Sequence, residues 1–176
     1  MEKEKPRLPR RSWKIKPFDR VKESKKVYTR KQKVQDGEEV ERRILGIDLG
    51  EKRVGLAISD PLQITAQGLK TVARDHLLQE IKLLFNRYSI EEIVMGHPLH
   101  LDGSAGEKAK EVEEIAVNLE NEFSLPVALY DERFTTQEAE RTLQEMGRKP
   151  SREREKVNEI SAILILQGYM DWIHSK

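Results

Sequence analysis

The chain carries the run Ile-Leu-Gly-Ile-Asp-Leu-Gly at residues 44–50. Its length and its apolar residues predict a buried strand over residues 44–49 that ends at a turn. On that strand Asp48 shares a face with Ile44 and Gly46, an apolar setting in which a carboxylate without a partner is costly. The acid therefore indicates a binding site, and a hard divalent cation such as Mg²⁺ or Mn²⁺ suits carboxylate oxygens. The alternative is that Asp48 only caps the turn.

The chain beyond this strand alternates between strand and helix patterns. Three strands come first, and helix, strand, helix, strand and two helices follow. This order predicts an α/β fold, with a mixed sheet flanked by helices. The further strands are predicted at 54–59, 64–72, 92–96 and 126–130, and the helices at 75–88, 107–123, 135–146 and 156–174.

The net charge of +1 hides a division between two segments. Residues 1–43 hold 16 Lys or Arg against 8 Asp or Glu, whereas the remainder holds 16 against 23. We therefore divide the chain into a basic, disordered arm at 1–42 and a folded domain at 43–176. Such an arm is typical of nucleic-acid binding, and a disordered extension without that role is the alternative.

Several classes of protein are excluded by composition. The chain has no cysteine, so disulfides and thiolate metal sites are excluded. The longest apolar run, residues 162–166, is far too short to cross a membrane. The N-terminal residues lack the apolar segment of a secretory signal, so we expect a cytoplasmic protein without membrane contact.

Four motifs occur in order along residues 43–173. They are Gly-Ile-Asp-Leu-Gly-x-x-Arg-Val-Gly-Leu-Ala at 46–57, Ile-Val-Met-Gly-His-Pro-Leu at 93–99 with Asp-Gly at 102–103, Asp-Glu-Arg-Phe-Thr-Thr at 131–136, and Ala-Ile-Leu-Ile-Leu-Gln at 162–167. Together these motifs resemble the YqgF/RuvX family. The resemblance implies an RNase H-like fold with a five-stranded sheet in the order 3-2-1-4-5. It also implies metal-dependent phosphodiester cleavage, acting on the 5′ end of pre-16S ribosomal RNA or on Holliday junctions.

The third motif supplies a second acid. The resemblance implies that a carboxylate here belongs to the site, and strand alternation lets only one of Asp131 and Glu132 face the cleft. We assign Glu132. Arg133 is a candidate for holding the scissile phosphate, because a guanidinium matches phosphate oxygens bidentately. The alternative is that the two acids neutralise Arg133 and cap the following helix.

Two positions depart from the family pattern. Asn158 stands where the last helix of the family brings an Asp, and Glu155, one turn earlier, is the better-placed substitute. His97 stands where the family has Leu. It is predicted either to lie near Asp48 as a ligand or general base, or, as we prefer, to be a polar surface residue.

The favoured hypothesis is a metal-dependent nuclease that acts on pre-rRNA or branched DNA as a monomer or homodimer. A non-catalytic RNA- or ribosome-binding module is the alternative, and Asn158 is its best support. An actin-like ATPase is set aside because the chain has no second glycine-rich phosphate loop. The candidate catalytic residues are Asp48, Glu132 and Asn158, the candidate ligands of Mg²⁺ or Mn²⁺ are Asp48, Glu132 and Glu155, and the candidate substrate contacts are Gly50, Arg53, His97, Arg133 and Thr135.

Overall fold

A computed structural model describes residues 21–22, 41–100, 102–132, 139, 141–142, 144–145 and 154–175. The strands are β1 (Val21–Lys22), β2 (Arg43–Leu49), β3 (Arg53–Ser59), β4 (Ala66–Ala73), β5 (Ile90–His97) and β6 (Val127–Asp131). The helices are α1 (Leu77–Arg87), α2 (Glu107–Phe123) and α3 (Arg154–His174), and a 3₁₀ turn, Arg74–His76, precedes α1.

These strands form one sheet in the order β1-β6-β5-β2-β3-β4. Strands β2, β3 and β4 are antiparallel neighbours, whereas β5 is parallel to β2 and β6 is parallel to β5. Without β1 this is the predicted 3-2-1-4-5 order, so the expected mixed sheet is confirmed. Strand β1 is an addition from the arm that was predicted to be disordered, and it pairs antiparallel with β6.

The two faces of the sheet are covered by different helices. One face buries Leu45 and Ile47 of β2 against residues of α1 and α2. The other face buries Ile44 of β2 and Val94 of β5 against α3. Successive residues of a strand point to opposite faces, so the consecutive apolar residues of β2 contribute to both cores.

Helix α3 lies very close to the sheet because glycines face it. A Cβ on Gly46 would be 2.8 Å from the Cβ of Leu166, and a Cβ on Gly55 would meet the backbone oxygen of Asn158. These contacts place the first turns of α3 over Gly55 of β3, the residue that pairs with Asp48, and the middle of the helix over β2. The buried residues of α3 include Val157, Ala162, Ile165, Leu166 and Met170, which confirms the predicted burial of this helix.

The third predicted strand starts at Ala66 and not at Ile64. The carboxylate of Asp60 accepts hydrogen bonds from the backbone N–H groups of Ile64 and Thr65, at 2.7 and 2.9 Å. This side-chain turn holds residues 60–65 as a loop and leaves Ile64 exposed.

Helical residues also occur at 139, 141–142 and 144–145, within the helix predicted over 135–146. In the part of the chain that the structure describes, no helix is both long and apolar enough to span a membrane.

Candidate active site

Asp48 and Glu132 lie on the same face of the sheet, at the carboxyl ends of two parallel strands. Ile47 pairs with Met95, and Gly96 pairs with Tyr130, so the ends of β2, β5 and β6 run side by side. Gly96 therefore occupies the position between the two acids. A Cβ on Gly96 would collide with Oε2 of Glu132, which shows that the carboxyl of Glu132 lies directly over this glycine. The missing side chain provides the space in which the two carboxyls approach each other.

Burial changes the proton affinity of both acids, and nearby charge adds to the effect on Glu132. Burial raises the pKa of Asp48 to about 6. The pKa of Glu132 is raised to about 8, first by burial and then by the negative charges of Asp48 and Asp131. Two buried acids with strongly raised pKa values are typical of functional sites, and a bound cation would favour their ionised forms.

Asp131 belongs to the opposite face. It pairs in register with His97, and it precedes Glu132 on the same extended segment. Alternation then brings Glu132, and not its neighbour, to the face that carries Asp48. The backbone N–H of Glu132 donates a 3.3 Å hydrogen bond to the oxygen of His97, which extends the β5–β6 ladder to this residue.

Asn158 lies at the edge of the acidic pair. Its backbone oxygen lies over Gly55, the residue paired with Asp48 across β2 and β3. Its amide Nδ2 is 3.6 Å from the position that a Cβ on Gly50 would occupy. The partly buried Asn158 side chain is therefore beside the turn that follows Asp48, as the family pattern implies.

Glu155 does not join the acids. Its exposed carboxylate is ion-paired with Arg53, and its backbone oxygen accepts a 2.6 Å hydrogen bond from the hydroxyl of Thr71. Within the described ranges, no group of three or more His, Cys, Asp or Glu residues is arranged to hold a metal ion. The prediction of Glu155 as a third ligand is therefore not supported, because Arg53 holds that carboxylate at the start of α3.

The position of His97 in the structure contradicts both predictions made for it, a site near Asp48 and a place on the surface. Only 6% of the residue is exposed, so it is not a surface residue. Its ring is on the α2 side of the sheet, where Nε2 is 3.2 Å from Oε1 of Glu113. Strand alternation explains this position, since Gly96 faces α3 and the next residue must face the other way.

The remaining predicted contacts divide into two groups. Gly50 forms the tight turn expected of it, and a Cβ there would be 2.5 Å from the backbone oxygen of Arg53. Arg53 is exposed near the same turn. Arg133 and Thr135 lie outside the described residues, and their assignment to the substrate stays a prediction.

Lys108, in the first turn of α2, is a further residue near the site that the sequence did not indicate. Its Nζ is 2.8 Å from Oε1 of Glu51, in the turn after β2. Its positive charge also lowers the pKa of Glu132. No local pattern identifies this lysine, because its partner lies 57 residues away along the chain.

The donors at the site fit Mg²⁺ or Mn²⁺. Asp48 and Glu132 offer two carboxylates on one face, and the amide of Asn158 lies at the edge of the same recess. Mg²⁺ is commonly held by one or two carboxylates, with the remaining positions left to water and substrate phosphate. Two carboxylates on one face of the sheet meet that description.

The sheet order is that of an RNase H-like α/β protein, and the acidic pair forms a candidate site at the carboxyl ends of its parallel strands. The family model described as "RuvX: Holliday junction resolvase" matches residues 42–172, and the chain belongs to this family.

Bacterial relatives support the assignment. Proteins of Desulfitobacterium hafniense and Moorella thermoacetica, each named "Putative pre-16S rRNA nuclease", are 41% and 45% identical to the chain. The matches cover 76% and 73% of this chain and 95% and 94% of those proteins. Among solved structures, T. thermophilus RuvC in complex with a Holliday junction substrate has a TM-score of 0.46 and 14% identity, over 74% of this chain and 95% of that one. That structural likeness is too weak to support a statement about chemistry.

Proposed function

We propose that the protein is a nuclease that hydrolyses phosphodiester bonds with Mg²⁺ or Mn²⁺. The observation that carries the proposal is the acidic pair: Asp48 and Glu132 lie on one face of the sheet, at the carboxyl ends of β2 and β6, and the carboxyl of Glu132 lies over Gly96 of the intervening strand β5. The names of the relatives favour pre-16S rRNA as the substrate, and the family description favours branched DNA. We place this activity in the cytoplasm, where precursor rRNA is processed in bacteria, in a monomer or homodimer.

The residues of the site have separate parts in this mechanism. Asp48 and Glu132 would hold the cation, and the amide oxygen of Asn158 would contribute a neutral, weaker ligand. A bound cation activates water and stabilises negative charge on the leaving oxygen. Gly96 keeps the recess open, while Ile165 of α3 packs beside the carboxyl of Glu132 and limits access of bulk water.

The basic arm supplies attraction to the phosphate backbone. The domain that follows residue 43 is net acidic, so it would repel nucleic acid without another source of positive charge. Residues 1–20 precede Val21 of β1 in the chain. Val21 pairs with Tyr130, which lies two residues before Glu132. The antiparallel direction of β1 means that the arm joins the sheet at the end where the acids lie.

A cleavage assay tests the proposal. Precursor 16S rRNA and a four-way DNA junction are incubated with wild-type protein and Mn²⁺, and with the variants Asp48→Asn, Glu132→Gln and Asp131→Asn. We expect each of the first two substitutions to lower the cleavage rate by at least about a hundredfold, the order of loss when one essential group is removed. Asp131→Asn removes a neighbouring charge from the other face and should keep most of the activity. Equal rates in all four proteins would refute the acidic pair as the catalytic site.

A non-catalytic module that binds RNA or the ribosome is the second candidate function. The neutral Asn158 favours it, since only two carboxylates are brought together in the described part of the site. Tight binding of precursor rRNA by wild-type protein, without cleavage in Mg²⁺ or Mn²⁺, would support this function over the nuclease.

A further inference from the structure

An exposed ion pair connects two elements at the mouth of the acidic recess. Glu51 lies in the turn after β2, three residues beyond Asp48, and its Oε1 is 2.8 Å from Nζ of Lys108. Lys108 projects from the first turn of α2, the helix on the other face of the sheet. The pair therefore bridges the carboxyl end of the sheet, next to the space that a phosphodiester must enter.

Lys108 is connected to the site through its partner. Its ammonium is held at the turn that directly follows β2, the strand that carries Asp48. The lysine side chain is 69% exposed and that of Glu51 is 77% exposed. An ion pair so open to water contributes little to stability, so a phosphate oxygen can replace Glu51 at small cost.

We propose that Lys108 positions the substrate by binding a backbone phosphate at the mouth of the site. In the absence of nucleic acid, Glu51 forms an ion pair with the Lys108 ammonium, and the phosphate replaces Glu51 when nucleic acid binds. This inference rests on the proposed function, because it takes nucleic acid as the ligand. A lysine suits the role, since its ammonium is a compact charge on a flexible stem that can move from carboxylate to phosphate.

A matched pair elsewhere on the surface provides the control. Nζ of Lys82 is 2.7 Å from Oε1 of Glu122, and the two side chains are 58% and 47% exposed. This pair joins α1 to α2 and is not among the charges that act on Glu132. Neutralising Lys82 removes the same charge from a similar exposed pair, away from the recess.

Binding is measured by fluorescence anisotropy with a labelled single-stranded RNA and a labelled four-way DNA junction, in Ca²⁺ to suppress cleavage, over a series of salt concentrations. We expect Lys108→Gln to weaken binding about tenfold and to reduce the salt slope by about one, as for one lost phosphate contact. Lys108→Arg should restore binding, and Lys82→Gln should change it little. Glu51→Gln should tighten binding, and this gain should vanish in the Lys108→Gln background if Glu51 acts through the lysine.

The outcomes separate this inference from the proposed function. Equal weakening by Lys108→Gln and Lys82→Gln, or a gain from Glu51→Gln that persists without Lys108, would overturn the role of Lys108 while leaving cleavage intact. Absence of nucleic-acid binding by wild-type protein would overturn both. A specific Lys108 effect in a protein that binds but never cleaves would support this inference and refute the nuclease. The RNA and the junction then show which nucleic acid makes the contact.

Discussion

At the scale of single residues, the acidic pair lowers the stability of the metal-free protein when both acids are ionised. Asp48 and Glu132 have pKa values of about 6 and about 8, above the ordinary values of 3.8 and 4.5. The folded protein therefore binds more protons than the unfolded chain between about pH 4 and pH 8. Since stability falls with rising pH wherever the folded state binds more protons, these two groups destabilise the metal-free protein as pH increases.

This cost predicts how stability depends on pH. Without metal, the free energy of unfolding attributable to the pair should fall by a few kcal/mol, as an order of magnitude, between pH 5 and pH 8. Saturating Mg²⁺ should restore much of it at pH 8, because the cation binds the ionised acids of the folded state. Urea titrations of wild type and of the Asp48→Asn/Glu132→Gln double variant measure the difference. A double variant with the same pH dependence as wild type would show that these acids do not carry the effect.

Asn158 is a second residue-scale test. Asn158→Asp places a third carboxylate beside Asp48, which should strengthen metal binding and raise the cleavage rate. In the absence of metal the added charge should lower the melting temperature at pH 8, since it increases the repulsion. Thermal unfolding without Mn²⁺ measures the melting temperature, and the increase in melting temperature on adding Mn²⁺ reports metal binding. Asn158→Ala is the control for loss of the amide alone. A variant with unchanged metal affinity would place Asn158 outside the metal site.

At the scale of elements, the site depends on the close packing of α3 on the sheet and on the end of β5. The sequence predicted most of these elements, since the apolar pattern of 107–123 matched α2 and strand alternation correctly brought Glu132 to the face of Asp48. His97 was misplaced although the same rule applied to it. The strand predicted over 92–96 ends before His97, whereas β5 continues through it and carries its ring to α2.

Substitutions of Gly46 and Gly96, which lie on the same face of the sheet, distinguish an effect on packing from an effect on metal binding. Gly46→Ala should destabilise the fold by about 1 to 3 kcal/mol, because its methyl would press on Leu166 and displace α3. Gly96→Ala should instead push the carboxyl of Glu132 aside, and so reduce metal affinity more than stability. Urea unfolding and Mn²⁺ titration of both variants test this division. The opposite ranking, with Gly46→Ala losing more metal affinity than Gly96→Ala, would contradict it.

At the scale of the whole molecule, a basic arm and an acidic domain share one chain, and β1 connects the arm to the edge of the sheet beside the site. Composition predicted the arm, but not the two-residue strand, because Val21 and Lys22 acquire their partners only when β6 is in place. The pairs Lys108–Glu51 and Arg53–Glu155 were missed for a related reason. Each joins residues far apart in sequence, and an exposed charge gives no local indication of its partner.

Two truncations distinguish the charge of the arm from its strand. Deleting residues 1–20 removes 8 Lys or Arg and 3 Asp or Glu but keeps β1. We expect weaker RNA binding at moderate salt and a flatter salt dependence, as counterion release requires. Deleting residues 1–40 also exposes the edge of β6 and should add a loss of stability or a tendency to associate. A salt slope equal to that of the full chain in both truncations would exclude the arm from binding.

The claim on which the mechanism depends is that Asp48 and Glu132 together bind a divalent cation. Titration of Mn²⁺ at pH 8, followed by electron paramagnetic resonance of the free ion, measures this without requiring a substrate. We expect wild type and Asp131→Asn to bind Mn²⁺ with similar affinity, and Asp48→Asn and Glu132→Gln each to bind at least about tenfold more weakly. Equal affinity in all four proteins would contradict the account, because the metal would then bind elsewhere or nowhere.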